Sequence, residues 1–374
     1  MTVAGRVSGN TDAGAIERLL HSFNGGAGEW GALMGRISEM ESRCGGGSQS
    51  IDLSRLLSKS LCCIVFFVVC FQHVYGQSGG DRVSGDASIG IDLDGSELRI
   101  KTTGRVAGAI DSLTWKGKEF VDSFDHGRQI QSACSFDAMD AGPFWAERFN
   151  PTEAGSRLDG TGPTSTSRLL GLSTMGPEIR SSSRMAFWLA PGESSFGRPA
   201  LNRERQSEHL LHKRIRLGAF EDKHIIEVAV TFEIPEHERH QLGQFEVLTG
   251  YMPPDFSKFA ALNGLNSTWM PLDDGPGEQA SPVVFCTPDE RFALGVVLVG
   301  GGGKGYDGPG YGRFVFREEK VVKWNCVMRF RQTPAIEQRK HSFRVLMVVG
   351  DLQDVQKGMV AIQRAGDNIP RDKH

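Results

Sequence analysis

The sequence predicts an all-β protein, a large antiparallel β-sandwich (supersandwich-like) with one C-terminal helix. Long stretches alternate apolar and polar residues, as in HIIEVAVTFEI at 224–234. This period of two is typical of strands that bury one face. Glycine is frequent, with 47 copies among 374 residues, and supplies the turns that many short strands need. Helical spacing of apolar residues is clear only at 351–366.

The first segment of the chain, residues 1–59, is rich in glycine and serine and has little periodic pattern. We interpret it as a disordered extension or as a stretch upstream of the true start, for which Met34 and Met40 are the alternatives.

Residues 60–76 have the features of a signal peptide. A basic flank precedes an apolar run of 11 residues from Leu61 to Phe71, which is too short to span a bilayer. Cleavage after Gly76 would start the mature chain near Gln77. We therefore expect a secreted or periplasmic protein, with no stable membrane span after processing. The alternative is that the apolar run is a buried core strand.

The rest of the chain, 77–374, is predicted to be a single β-sandwich domain. In the stretch 321–331, Trp324 shares the apolar phase with Val322 and Cys326, so we expect it to be a core residue. The stretch 340–349 shows the same alternation. Further strands are predicted at 97–103, 106–115, 129–136, 179–190, 208–217, 244–251, 282–287, 292–299 and 313–317.

The C-terminal helix has recognisable boundaries. Asp351 is a suitable N-cap and Gly366 is a suitable stop. The side of 321–331 that carries lysine, asparagine and arginine, together with Trp188, would suit an open polar groove on one sheet.

Charge and cysteine content exclude several classes of protein. The formal net charge is −3 and the basic residues are interspersed with acidic ones, so we expect no nucleic-acid partner. Removal of the leader leaves three cysteines, Cys134, Cys286 and Cys326, too few for a disulfide scaffold. No residue spacing indicates a metal, and four histidines in charged stretches resemble surface residues: His209, His212, His237 and His240. We predict no metal and no cofactor.

The stretch at 104–131 resembles the opening of galactose mutarotase-like sandwich domains. The matching positions are Gly108, Ile110, Ser112, Leu113, Gly117 and Glu119. The resemblance implies a carbohydrate-active supersandwich, a scaffold shared by polysaccharide lyases and accessory domains of glycoside hydrolases. The chain lacks the Asn-His-x-Tyr-Phe type of motif found in aldose epimerases, which makes an epimerase the less favoured activity.

The stretch FDHGRQIQSA at 124–133 gathers an acid, an imidazole and a guanidinium. His126 is a candidate acid or base, Asp125 could orient it, and Arg128 could bind an anionic or hydroxyl-rich sugar. The alternative is a tight turn in which the aspartate caps backbone N–H groups and the arginine pairs with a surface acid.

Further candidates lie in two long loops. The segment 142–168 has no strand pattern; Trp145 could stack on a sugar, and Glu147 and Glu153 could supply the two carboxylates of a glycoside hydrolase. The glycine-rich segment 299–316 is interpreted as a flexible hairpin loop. If this loop acted as a lid over a groove, it would bring two further substrate-binding candidates to the groove, Tyr311 and Arg313. Tyr251, at the end of the predicted strand 244–251, is the last substrate-binding candidate.

Together these features favour an exported protein that binds and cleaves a polysaccharide or oligosaccharide in an open groove, as a glycoside hydrolase or a polysaccharide lyase. The alternative is a non-catalytic glycan-binding or cell-envelope protein.

Overall fold

The computed structural model describes residues 83–263, 268–300, 305–332 and 339–366. The predicted extension at 1–59 and the signal peptide at 60–76 lie outside the described residues. Within the described ranges, no helix has the length and apolar character required to cross a membrane.

The all-β prediction is confirmed. In chain order the described strands are β1 (Ala87–Leu93), β2 (Ser96–Thr102), β3 (Ile110–Trp115), β4 (Lys118–Glu119), β5 (Gln131–Phe136), β6 (Pro151–Thr152), β7 (Arg168–Met175), β8 (Glu178–Phe187), β9 (Ser194–Ser195), β10 (Arg198–Pro199), β11 (Gln206–Leu217), β12 (Ile225–Glu233), β13 (Leu242–Met252), β14 (Lys258–Asn263), β15 (Thr268–Leu272), β16 (Gly277–Gln279), β17 (Val283–Cys286), β18 (Ala293–Leu298), β19 (Tyr306–Phe316), β20 (Val321–Arg331) and β21 (Lys340–Gly350). They are followed by one α-helix, α1 (Leu352–Ala365).

Most of these strands form one continuous antiparallel sheet in the order β15-β14-β17-β18-β21-β12-β11-β8-β6-β5-β13-β20-β19-β16, with β7 paired to β8. The sheet folds over on itself, because Phe245 of β13 contacts Phe232 of β12 and Phe343 of β21 at ring-centroid distances of 5.0 and 5.2 Å. These strands are far apart in the pairing order, so their contact means that the two halves of the sheet pack face to face around an aromatic and aliphatic core. Strands β1–β4 form a second, smaller sheet.

The strand phases predicted from sequence hold across the core. Trp324 is 1% exposed and belongs to the main apolar cluster, where its ring packs near Phe285 at 6.4 Å. The three cysteines expected in the mature chain are buried and free.

The helix covers the outside of one half of the sandwich. Asp351 accepts a hydrogen bond from the Asp354 N–H at 2.9 Å, and Gly366 ends the helix at a φ of 49°, as the sequence predicts. Val355 and Met359 pack on β17, β18 and β21. Gly295 of β18 permits this approach, because an added Cβ would lie 2.2 Å from the Met359 sulfur. The helix therefore covers the half of the sandwich opposite to β13, β20 and β19.

The residues that resemble mutarotase-like domains form a hairpin, β3–β4, with its own internal bonding. The Glu119 carboxylate accepts hydrogen bonds from the Ser112 hydroxyl at 2.6 Å and from the Leu113 N–H at 2.9 Å. The polar residues of the motif therefore stabilise the hairpin.

The two loop predictions had different outcomes. The segment 142–168 is largely irregular, as predicted, and contains two short 3-10 turns, Ala146–Phe149 and Arg157–Asp159, and the two-residue strand β6. The prediction of a flexible loop in the glycine-rich segment was wrong. In the glycine-rich segment, β19 begins at Tyr306, seven residues before the predicted strand. The glycines of this segment suggested a loop. In the structure they leave room for side chains of the neighbouring strands, which lie over β19.

Candidate functional site

The outer face of β13, β20 and β19, turned away from the core, carries a row of three side chains on adjacent strands. Tyr251 pairs with Lys323 across β13–β20, and Lys323 pairs with Phe314 across β20–β19. The Lys323 ammonium lies 5.5 Å from the Tyr251 ring centroid and 5.8 Å from that of Phe314. A cation near aromatic rings at these distances is stabilised by the ring electrons. We call these three residues the aromatic–lysine row.

The lysine of this row stays charged because of its neighbours. Glu246 lies 3.7 Å from the Lys323 nitrogen, and the two side chains are 18% and 22% exposed. Burial alone would lower the pKa of Lys323, but the negative charge of Glu246, with further contributions from Tyr251 and Glu147, outweighs burial and raises that pKa. Burial raises the pKa of the Tyr251 phenol, an effect that Lys323 partly opposes. At neutral pH the row therefore presents an ammonium beside a protonated phenol.

Glu147 lies on the 3-10 turn at Ala146–Phe149, and its charge contributes to raising the pKa of Lys323. The turn is held against β5 by Asn150, whose side-chain amide donates to the Cys134 carbonyl at 2.7 Å and to the Ser135 hydroxyl at 3.0 Å. The turn that carries this candidate carboxylate is thereby held beside β5, the neighbour of β13 in the sheet.

The polar surface continues along β20 beyond the row. Arg329 donates two hydrogen bonds to the Glu278 carboxylate at 2.7 and 2.8 Å and one to the Gln244 amide oxygen at 2.9 Å. The Glu278 side chain passes directly over Gly310, where an added Cβ would lie 2.4 Å from its carboxylate oxygen. Any side chain at position 310 would collide with Glu278 in this position. The structure therefore explains one glycine of the segment that was interpreted from the sequence as a flexible loop.

The stretch 124–133 lies at one end of the row. The N–H of Asp122, just before it, donates to the Tyr251 carbonyl at 2.8 Å. Asp125 accepts from the Gly127 N–H at 2.8 Å, and the Arg128 guanidinium lies 3.6 Å from Asp125 and 3.8 Å from Asp122. These contacts match the tight-turn interpretation of the stretch. The Asp122 bond places this turn beside the end of β13 that carries Tyr251, and the charge of Asp125 contributes to raising the pKa of that phenol.

His126 is enclosed within the protein. Its side chain is 1% exposed, with Nδ1 at 2.7 Å from the Gly160 carbonyl and Nε2 at 2.8 Å from the Arg105 carbonyl. Both ring nitrogens are occupied by backbone oxygens, so neither is free to exchange a proton with a bound sugar. The geometry favours a role in which His126 ties together the two segments that contain these carbonyls.

Glu153 also lies in the interior. Its carboxylate forms an ion pair with the Lys213 ammonium, and the two side chains are 2% and 1% exposed. The same carboxylate accepts the Ser132 N–H at 2.8 Å. Because burial removes it from the outer face, Glu153 is in no position to act with Glu147 on one glycosidic bond.

The remaining candidates are separate from the row. One face of the Trp145 ring is covered by the Arg198 guanidinium, 4.5 Å from its centroid. The Tyr311 hydroxyl accepts the Leu298 N–H at 2.9 Å within the core. Arg313 is 7% exposed and binds Asp273 and its carbonyl, holding the segment before β16. These contacts favour structural roles for Tyr311 and Arg313.

The structure thus brings Asp125, Arg128, Glu147 and Tyr251 to one region and adds residues that sequence reasoning did not select: Glu246, Lys323, Phe314, Glu278 and Arg329. Two of these residues could have been selected from the sequence, because Lys323 and Arg329 belong to the polar side of the predicted strand 321–331. Glu246 and Phe314 gave no such signal, because their selection depends on which strands are neighbours.

No protein-family model matches the chain, and no curated protein matches it. Similar solved structures include the Slr1438 protein of Synechocystis sp., with 12% identity, 74% of this chain and 98% of that chain covered, and a TM-score of 0.39. They also include an alpha-galactosidase from Lactobacillus brevis, with 10% identity, 76% and 42% covered, and a TM-score of 0.38. A third is a mutant of the heparan sulfate lyase HepC from Pedobacter heparinus, with 10% identity, 72% and 36% covered, and a TM-score of 0.35. The aligned region spans less than half of either enzyme, and likenesses at this level assign neither family nor activity to the chain.

Proposed function

We propose that the protein binds an oligosaccharide or polysaccharide on the outer face of β13, β20 and β19. The observation that carries this proposal is the aromatic–lysine row, flanked by carboxylates and only partly exposed. A sugar presents an apolar C–H face that packs on aromatic rings and a rim of hydroxyl groups that bond to charged side chains. Tyr251 and Phe314 supply the rings, while Lys323 and Glu246 supply bonding groups of both signs.

The charges around the row favour a neutral glycan. Glu246 and Glu147 contribute two negative charges against the single positive charge of Lys323. Asp125 and Asp122 likewise exceed the one charge of Arg128. A uronate or sulfate group would be repelled by this excess of carboxylates.

Cleavage of the bound glycan is the second candidate function. Two carboxylates, Glu147 and Glu246, both act on Lys323, and hydrolysis of a glycosidic bond requires two carboxyl groups at one site. One would protonate the leaving oxygen as the C–O bond breaks, and the other would direct a water molecule or form the glycosyl intermediate. This pair replaces the predicted pair of Glu147 and Glu153.

Glycan binding is tested with Lys323→Met and Tyr251→Leu, which removes the ring, against a panel of neutral, uronate-containing and sulfated plant and algal polysaccharides. The matched control is Arg331→Met, which removes a cation from the same strand and face, eight residues away. We expect both row variants, assayed well below their own melting temperatures, to weaken binding of a neutral glycan at least tenfold, while Arg331→Met binds normally. Equal binding by all four proteins would contradict the proposal.

Hydrolysis is tested in the same panel by release of reducing ends. Turnover that is lost in Glu246→Gln while binding remains would support catalysis. Binding without turnover by the wild-type protein would support the non-catalytic alternative.

We also propose that the protein is exported, on the basis of the signal-peptide pattern at 60–76. Mass spectrometry of the protein recovered from its natural compartment should show an N-terminus near Gln77. An intact N-terminus upstream of Leu61 would contradict this.

A further inference from the structure

A second group of polar side chains lies in the interior and does not belong to the aromatic–lysine row. His209 is on β11, and Glu238 and His240 lie in the connection between β12 and β13. Their potential ligand atoms all fall within 4.8 Å of one another. His209 and His240 are each 1% exposed, which corrects their interpretation as surface residues.

The distances match those of a coordination sphere. The Glu238 carboxylate oxygen lies 3.3 Å from Nε2 of His209 and 2.9 Å from Nε2 of His240. Two ligand atoms bound tetrahedrally to zinc at about 2.0–2.1 Å are separated by roughly 3.3–3.4 Å. The two separations from Glu238 are therefore close to the value for a bound zinc ion, and the ligand atoms of the two histidines lie within 4.8 Å of each other.

His209 lacks the hydrogen bonds that a purely structural polar cluster would make. His240 makes one such bond, from Nε2 to the Glu238 carboxylate at 2.9 Å, but neither ring nitrogen of the buried His209 has a hydrogen-bond partner. Buried polar atoms without partners are costly and uncommon. Nε2 of His209 points toward Glu238, so the unsatisfied atom faces the centre of the group.

Aromatic rings enclose the group on the side that faces the core, which increases the cost of leaving it without a cation. Phe136 stacks on His240 at 4.4 Å and on His209 at 5.3 Å, and Phe149 closes another side. A carboxylate in such a shell is stabilised by a bound cation.

An outer carboxylate is present as well. Asp137 lies 3.6 Å from Nδ1 of His240, and both of its oxygens are positioned by the Gln241 N–H at 3.2 Å. Metal-binding histidines commonly direct their second nitrogen to such a carboxylate, which orients the ring.

The group is open on one side. A pocket of about 470 Å³ is lined by Glu238 and His240 together with Phe149, Asn202 and Arg203. Three protein ligands beside a solvent-connected pocket leave a position for water or a small ligand, as in zinc sites with two histidines and a glutamate.

We propose that His209, Glu238 and His240 bind a divalent transition-metal ion, preferentially zinc, with a fourth position facing the pocket. Imidazole nitrogens with one carboxylate favour zinc over calcium or magnesium, which prefer oxygen ligands. This proposal is independent of the glycan proposal and departs from the sequence-based expectation of no metal.

The test uses the full chain, stripped with chelator and reloaded with zinc chloride. We expect about one zinc ion per chain by elemental analysis, and a melting temperature raised by roughly 5 °C at zinc concentrations about a hundredfold above Kd. Glu238→Gln and His240→Ala should each lose the bound ion and the thermal shift. The control is His237→Ala, an exposed histidine beside Glu238, which should retain both.

A measurement on the wild-type protein keeps the proposal testable if the variants fail to fold. X-ray absorption of the zinc-loaded protein should show two imidazoles and an oxygen at about 2.0–2.1 Å. A shell with sulfur at about 2.3 Å would indicate binding by cysteines and would overturn the assignment. Failure of the wild-type chain to retain zinc would overturn it too, as would loss of zinc in His224→Ala but not in Glu238→Gln, since His224 belongs to a separate acidic group with Asp94 and Asp354.

Discussion

The ion pair between Glu153 and Lys213 offers a direct test of whether Glu153 is structural or catalytic. Both side chains are at most 2% exposed, and Glu153 also accepts the Ser132 N–H. Removing one member of a buried pair leaves an uncompensated charge, which costs about 3–5 kcal/mol of unfolding free energy. We therefore expect Lys213→Met and Glu153→Gln each to lose that amount, a large part of a total that is typically about 5–15 kcal/mol.

The double variant distinguishes charge pairing from simple loss of contacts. In Lys213→Met with Glu153→Gln no charge remains, and the glutamine oxygen can still accept the Ser132 N–H. We expect the double variant to be about 1–3 kcal/mol less stable than wild type, which is less than either single variant. The difference from additivity measures the coupling between the two side chains.

The assay is urea denaturation of wild type, both single variants and the double variant, with glycan binding and turnover measured in parallel. A cost below about 1 kcal/mol for Lys213→Met would refute the reasoning, since it would place the pair in the range of surface ion pairs. Loss of turnover in Glu153→Gln at unchanged stability would restore the catalytic role predicted from sequence.

Three further predictions concern the core and its connections. Trp324→Ala should cost about 3–5 kcal/mol in denaturation experiments, and loss of glycan binding at full stability would contradict its core role. The Gly275 N–H and the Arg313 guanidinium lower the pKa of Asp273, so its carboxylate stabilises the fold above the unfolded pKa of about 3.9, and this contribution is lost as the pH falls through the lower folded pKa. Asp273→Asn should therefore destabilise the protein at pH 7 and progressively less below about pH 4, whereas a constant difference would contradict the ion pair. Burial raises the pKa of Cys286 to about 12 and those of Cys134 and Cys326 well above the ordinary thiol value, so all three should resist alkylation at pH 8 until the protein is denatured, as followed by peptide mapping.

The loops show why the candidate residues were harder to predict than the fold. Glu153 and His126 have the residue types of catalysis, but each is enclosed by groups that come from remote parts of the chain: the Lys213 ammonium and the Gly160 carbonyl. Nothing in the local sequence shows that these partners are present. Residue type and clustering therefore selected chemically suitable side chains without showing which of them reach solvent.

The sequence by itself determined the strand phases, the C-terminal helix with its cap and stop, and the core position of Trp324. Those features follow from local periodicity and backbone preference, which are encoded within a few residues. Only the tertiary structure decided that Tyr251, Lys323 and Phe314 lie side by side and that His209 joins His240 in the interior. Both groups depend on pairing and packing between distant segments, and a strand's alternation specifies which side chains share a face but not which strand lies next to it.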